Sequence, residues 1–160
     1  MKSNADFSIF LVDDDPFFLN LCEQYLNNLG FTAVRKYESS TGFLNDLLFQ
    51  PGLIFLDYNL DSLNGIETLK KIKRFNPNFL VVFISGQEKI DVAVNALKYG
   101  AFDYLLKEEV TEDRLKIVLD KAIAIKTVLE KRNKKSLFMR LLPLLGLAAI
   151  ILLVYKFFYK

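Results

Sequence analysis

Residues 53–60 read Leu53-Ile54-Phe55-Leu56-Asp57-Tyr58-Asn59-Leu60, or LIFLDYNL. Four apolar residues in succession predict a strand buried on both faces, as in a parallel sheet covered by helices. Asp57 then sets a carboxylate at the tip of that strand, before the pattern turns polar. A charge taken out of water needs partners, so the fold turns on what else reaches this tip.

Two further runs resemble it: FSIFLV at 7–12 and FLVVFIS at 79–85. Weaker strands fit TAVRKY at 32–37 and AFDYLL at 101–106. Helical periodicity fills the gaps. Pro16 opens a helix carrying Phe18, Leu21, Cys22, Tyr25, Leu26 and Leu29, and Gly30 closes it. Ser39-Ser40 precede a short helix from Phe43 to Phe49, stopped by Pro51-Gly52. Ile66, Leu69, Ile72 and Phe75 mark a third helix, and Ile90, Val94 and Leu97 a fourth, ended by Gly100. Thr111-Glu112-Asp113 caps a fifth. Strand and helix alternate five times, which predicts an α/β fold: a five-stranded parallel sheet, doubly wound as (βα)5.

Composition narrows the chemistry. The 160 residues are 52% hydrophobic and contain no histidine, which excludes a Ser-His-Asp triad, a His-ligated metal and phosphohistidine on this chain. The single cysteine, Cys22, cannot form an internal disulfide and reads as a small core residue. Net charge +2 hides a division. Residues 1–130 hold fourteen Lys/Arg against all nineteen Asp/Glu, a net −5, and residues 131–160 hold seven Lys/Arg and no acid, +7. The acidic part is a poor candidate for nucleic acid.

In open α/β sheets, ligands bind beyond the carboxyl ends of the strands. Asp13, Asp14 and Asp15 follow the first predicted strand, Asp57 ends the third, Ser85 the fourth and Lys107 the fifth. Carboxylates gathered on one rim need a cation, and hard oxygen donors suit Mg²⁺. A lysine and a hydroxyl beside them suit an anion rich in oxygens, such as a phosphoryl group.

LVDDDP (11–16), LIFLDYNLDSLNGIE (53–67), VVFISG (81–86) and GAFDYLLK (100–107) stand in an order and at spacings that resemble a response-regulator receiver domain over residues 7–126. The resemblance implies that Asp57 accepts a phosphoryl group from the phosphohistidine of a histidine kinase or phosphotransfer protein. It implies that Asp14, Asp57 and the backbone carbonyl of Asn59 ligate Mg²⁺, with Asp13 acting through water. Lys107 would pair with the phosphoryl oxygens, Ser85 would hydrogen-bond one of them, and Tyr104 would rotate inward as a switch. Asp15 falls outside this set, Tyr104 also suits a plain aromatic at the sheet edge, and Gly65 reads as a turn residue.

Three positions depart from the family pattern. Glu108 follows Lys107 where a cis proline is usual, Asp61 stands where proline is common, and Gly86 where alanine is common. A cis bond before a non-proline residue costs ~3–4 kcal/mol, so Glu108 implies either a trans bond with a shifted loop or strain.

Residues 141–155, LLPLLGLAAIILLVY, carry no charge. As a helix they span about 22 Å, and extension over 137–159 gives about 34 Å, enough for a bilayer core of roughly 30 Å. The expected organisation is a receiver over 5–128, a basic linker over 129–136 and a single-pass anchor over 137–159. Lys131, Arg132, Lys134, Lys135 and Arg140, before the uncharged run, would hold the receiver in the cytoplasm, at the inner membrane. The tail could instead dock on protein.

The expected function is a membrane-tethered, single-domain response regulator, not an enzyme in its own right, with an output protein contacted through the fourth and fifth helices. The alternatives are a pseudo-receiver scaffold, silenced by Glu108, and a haloacid-dehalogenase-type phosphatase. The latter needs a second aspartate where this chain has Asn59.

Overall fold

The computed structural model describes residues 4–60, 64–86 and 90–158, with side chains for all of these but 6, 133–138, 140–154, 157 and 158. It falls into two units, Met1–Ile123 and Ala124–Lys160.

The first unit is built on five parallel strands: β1 (Ile9–Val12), β2 (Val34–Tyr37), β3 (Leu53–Asp57), β4 (Val81–Ser85) and β5 (Asp103–Leu106). Their order is β2-β1-β3-β4-β5. The chain steps outward from β1 to β2 and then returns to add β3 on β1's other side. The crevice beyond the tips of β1 and β3 is thus the switch point, where the neighbouring connections leave in opposite directions.

Between the strands lie α1 (Pro16–Asn28), α2 (Ser40–Asn45), α3 (Gly65–Phe75), α4 (Ile90–Lys98) and the start of α5 (Glu112–Phe158). Two cores result, and strand alternation sorts residues between them. Ile9, Leu11, Leu53, Phe55, Val82, Ile84 and Leu105 point to the side covered by α1 and α5, where Leu19, Cys22, Leu26, Leu115 and Leu119 meet them. Phe10, Val12, Ile54, Leu56, Val81 and Phe83 point to the other side, against Phe43, Leu69, Ile72, Val92 and Ala96 of α2, α3 and α4. Burial on both faces explains why the central strands read as unbroken apolar runs. Each fully buried Leu, Ile or Phe contributes about 1.5–3 kcal/mol relative to exposure.

The boundaries differ from the sequence reading at several places: β1, β2, β4 and β5 each begin two residues later than the apolar runs suggest. β1 begins at Ile9, two residues late, because Phe7 turns aside to meet Phe31 edge-on. The short helix breaks at Asn45, and a 3-10 turn over Asp46–Phe49 follows. Gln50 then adopts φ 51°, and Pro51 disfavours helix in the residue before it. The basic linker expected over 129–136 continues α5, which runs to Phe158; a continuous helical lead into the tail is one of the two forms that the basic stretch 131–136 allows. Asp61 lies outside the described residues.

The second unit consists of α5 from Ala124 onward. The anchor expected over 137–159 finds no support here: among the described residues, no helix is long and apolar enough to cross a membrane. The side chains of 140–154, on which that expectation rests, lie outside the described set.

Candidate functional site

Asp57 is the last residue of β3 and is 1% exposed. Its place follows from alternation: residues 53, 55 and 57 share one face, so the carboxylate lies beyond the α1/α5 core. Residues 9 and 11 on β1 and 13 just past it share the same parity, and so do 105 on β5 and 107 just past it. Asp13, Asp57 and Lys107 are therefore directed to one point by pleating alone.

There the Lys107 ammonium lies 2.7 Å from Asp13 Oδ2 and 3.2 Å from Asp57 Oδ1. It donates a hydrogen bond to Asp13 Oδ1 at 3.0 Å. The backbone N–H of Asp15 also donates to Asp13 Oδ1, at 2.9 Å, and that of Asn59 donates to Asp57 Oδ2 at 2.7 Å. Two buried oxygens, Asp13 Oδ2 and Asp57 Oδ1, meet no backbone donor and share the single Lys107 ammonium.

The electrostatics follow from this crowding. Burial first, and then the charge of Asp13, pushes the Asp57 carboxyl up to about 6, against the pull of Lys107 and the Asn59 N–H. Burial likewise raises Asp13. Burial draws the Lys107 ammonium down, but its hydrogen bond to Asp13 and the two carboxylate charges outweigh that and hold it above the usual lysine range. One lysine does not neutralise two buried carboxylates. Asp14 brings a third, half-buried, and oxygens of Asp13, Asp14 and Asp57 lie within 4.8 Å of one another. Three carboxylates, two of them buried and sharing one ammonium, fit a divalent cation of the Mg²⁺ type.

The other expected residues surround this cluster. Ser85 is fully buried at the end of β4, one step past Ile84, the register partner of Asp57. Tyr104 pairs with Phe83 and packs, half-buried, against the α2/α3/α4 core. By parity Ser85 and Tyr104 thus belong to the opposite face from Lys107. Asn59 lines an open groove of about 250 Å³ with Asp14, Tyr58, Leu60 and Asn64. Lys107 opens a 3-10 turn, Lys107–Glu109, and no cis peptide bond occurs among the described residues. The loop carrying Glu108 delivers the ammonium nonetheless.

Three further residues serve the site. Asp15 caps α1, accepting from the N–H of Phe17 at 2.9 Å just before Pro16; the Asp-Pro pair is a readable helix start. Phe18 sets its ring against Lys107, at 4.8 Å. Gly65 reads as a turn residue, yet its role is close approach. A Cβ there would collide with the Asp57 carbonyl oxygen and lie 2.8 Å from the Phe83 ring. Its N–H donates to Tyr58 O at 2.8 Å, drawing the loop after β3 back onto the strand tip.

The model of the response regulator receiver domain matches residues 9–120. This chain belongs to that family. It is 38% identical over 118 residues to the nitrogen assimilation regulatory protein NtrX of Azorhizobium caulinodans, covering 72% of this chain and 26% of that one. It is 33% identical over 119 residues to the transcriptional regulatory protein FixJ of Bradyrhizobium diazoefficiens, covering 72% and 56%. The match thus takes in about a quarter to a half of those relatives. Among solved structures, a receiver domain from Clostridium thermocellum superposes with TM-score 0.71 at 30% identity, covering 76% of this chain and 98% of that one. The receiver domain of NtrX from Brucella abortus gives 0.68 at 32%, covering 73% and 98%. Receiver domains are the signalling modules of two-component systems. They interact with histidine kinases or phosphotransfer proteins, bind Mg²⁺ at such an acidic pocket, and are not enzymes in the ordinary sense.

Proposed function

We propose that Asp57 is the phosphoacceptor of this receiver, taking a phosphoryl group from a histidine kinase or phosphotransfer protein. The observation that carries this is the convergence of Asp13, Asp57 and Lys107. The acceptor oxygen is held at a strand tip with an ammonium 3.2 Å away. In-line phosphoryl transfer depends chiefly on such positioning and charge neutralisation. An Asp57 oxygen forms a bond to phosphorus as the phosphorus–nitrogen bond of the donor breaks, and the donor imidazole keeps the electron pair.

Asp14, Asp57 and the Asn59 carbonyl would hold Mg²⁺, with Asp13 acting through water; the ion would neutralise charge on the transferred group. Lys107 supports the phosphoryl oxygens. Ser85, on the adjacent strand tip, supplies a hydroxyl from the other face of the sheet. Tyr104 shares that face, where a change at Ser85 can reach the α4 surface. Output runs through protein contacts near α4 and α5.

The scaffold alternative requires Glu108 to displace Lys107, and the short distance from Lys107 to Asp57 speaks against it. The phosphatase alternative lacks its acid: Asn59 offers Asp57 only a backbone N–H. Intact-mass analysis after treatment with acetyl phosphate and Mg²⁺ tests the reading. The wild type should gain one phosphoryl group and Asp57→Asn none. Equal adducts on both would refute it.

We further propose that residues 137–159 tether the receiver to the inner membrane with residues 5–128 on the cytoplasmic side, joined by the basic stretch 129–136. The uncharged run 141–155 supports this, as does the basic excess before it. Tethering would raise the receiver's concentration near a membrane kinase. Carbonate extraction is the test: the full chain should stay with the membrane fraction, and release into the supernatant would overturn the tether.

A further inference from the structure

We infer that Phe18 is a positioning residue for Lys107, its ring fixing where the ammonium sits beside Asp57. The proposal rests on the reading of Lys107 as the partner of the phosphoryl group. Lys107 lies beyond the end of β5, in a 3-10 turn, so sheet pairing does not fix its backbone. Its ammonium is placed by what it touches: Asp13, Asp57 and the face of Phe18. The two carboxylates are the groups that change partners. Asp57 supplies the oxygen of the new bond, and Asp13 cannot give one oxygen fully to both a cation and the lysine. The ring has no such competing engagement.

Phe18 is itself held firmly. It is 9% exposed and belongs to the α1/α5 core, with Leu19 beside it and Cys22 one turn on. The start of its helix is tied to the acidic loop, since Asp15 donates its N–H to Asp13 and caps α1 with its side chain. Residues 13–18 thus deliver the acid and the ring as one stiff unit. A cation over an aromatic face is attracted by the ring quadrupole, and more strongly when partly desolvated. The Lys107 side chain is 26% exposed, so water surrounds only part of it. A leucine would fill similar space and leave the ammonium without that attraction.

The test uses the full chain with Phe18→Leu, with 3,4,5-trifluorophenylalanine at position 18, and with each of these combined with Lys107→Met. Acetyl-phosphate labelling should slow about 3- to 10-fold in Phe18→Leu, and by a smaller factor with the fluorinated ring, which keeps the shape and loses the quadrupole. In the Lys107→Met background neither change should slow it further. Equal slowing in both backgrounds would make Phe18 a packing residue and overturn the proposal; should Phe18→Leu fold poorly, the fluorinated chain discriminates in the same way. A second readout needs no phosphorylation. The Lys107 Hε resonances should be ring-shifted in the wild type and in Asp57→Asn, and return to the ordinary lysine position in Phe18→Leu. Resonances that never show the shift would sink the proposal. A wild type that shows it yet accepts no phosphoryl group would sink the phosphoacceptor reading instead.

Discussion

The rim at the tips of β1 and β3 and the outer face of α4 both break the rule that sorts charge outward and apolar surface inward. At the rim, Asp13 and Asp57 are 2% and 1% exposed. On α4, Ile90, Val94 and Leu97 are all more than half exposed. The energetic consequences differ. Two buried carboxylates that share one ammonium work against the folded state continuously. An exposed isoleucine costs the monomer almost nothing, because unfolding would expose it too. Strain against folding therefore marks where the chemistry is, and indifference to folding marks where a partner can bind. Substitutions should separate the two.

The largest stability effect is expected from Gly65→Ala. The added methyl meets backbone, the Asp57 carbonyl, which has no room to yield. A loss of about 3 kcal/mol is expected in urea unfolding, with phosphoryl labelling reduced alongside as the loop pulls away from the strand tip. Gly86→Ala is the control: nothing lies within 4 Å of its added Cβ, so it should change stability little. Similar losses in both would mean that close approach at Gly65 is not what the substitution reads.

Next comes the sign of the rim's own contribution. With the Asp57 carboxyl pushed up to about 6 from an unfolded value of 3.8, the native state between those values holds a proton that the unfolded chain has released. Asp57 therefore favours folding most below about pH 4, and that advantage is lost as pH rises through about 6. Asp57→Asn has nothing to lose. In metal-free buffer it should be about 2–3 kcal/mol more stable than the wild type near pH 8, with the gap closing toward pH 4. Mg²⁺ should stabilise the wild type and narrow the gap. A variant less stable than the wild type near pH 8 would mean that the rim is already neutralised.

A smaller effect is expected just beside the rim. Asn64 lines the groove next to Asp14 and caps α3, its Oδ1 accepting from the N–H of Glu67 at 2.9 Å. Asn64→Ala should cost about 1 kcal/mol and leave the Asp57 adduct in place. Loss of the adduct would make Asn64 part of the site and not only of its scaffold.

Much of this contrast is legible without coordinates. Unbroken apolar runs announce strands covered on both sides, and punctuation by Pro16, Gly30 and Gly100 bounds the helices. The acids and Lys107 stand where parallel sheets bind ligands. Strand parity holds more than the motifs alone convey: residues 13, 57 and 107 each lie two past a residue of the α1/α5 core, whereas Ser85 and Tyr104 lie on the other parity. Phe18 is not legible as a partner of Lys107, because a core aromatic on α1 looks the same whether or not an ammonium crosses its face. Gly65 misleads because an Asn-Gly pair signals a turn as a matter of local geometry. The collision it avoids, with the Asp57 carbonyl, involves a residue eight positions earlier. The proposed tether rests on composition alone, because the side chains of residues 141–154 lie outside the described set.

The smallest effect should come from the other side of the comparison. Val94→Lys and Leu97→Lys replace side chains that are 56% and 53% exposed. Each should move the unfolding free energy by no more than about 0.5 kcal/mol and leave acetyl-phosphate labelling of Asp57 at the wild-type rate. α4 packs inward through Val92 and Ala96, and a lysine on its outer face can extend into water. A drop of about 2 kcal/mol or more in either variant, well beyond the usual range for surface substitutions, would mean that the outer face of α4 already has a folded partner, which would have to be found before this surface is treated as free for output. A variant as stable as the wild type but labelled more slowly would show that the α4 face acts on the rim, and the two regions would then be one coupled device.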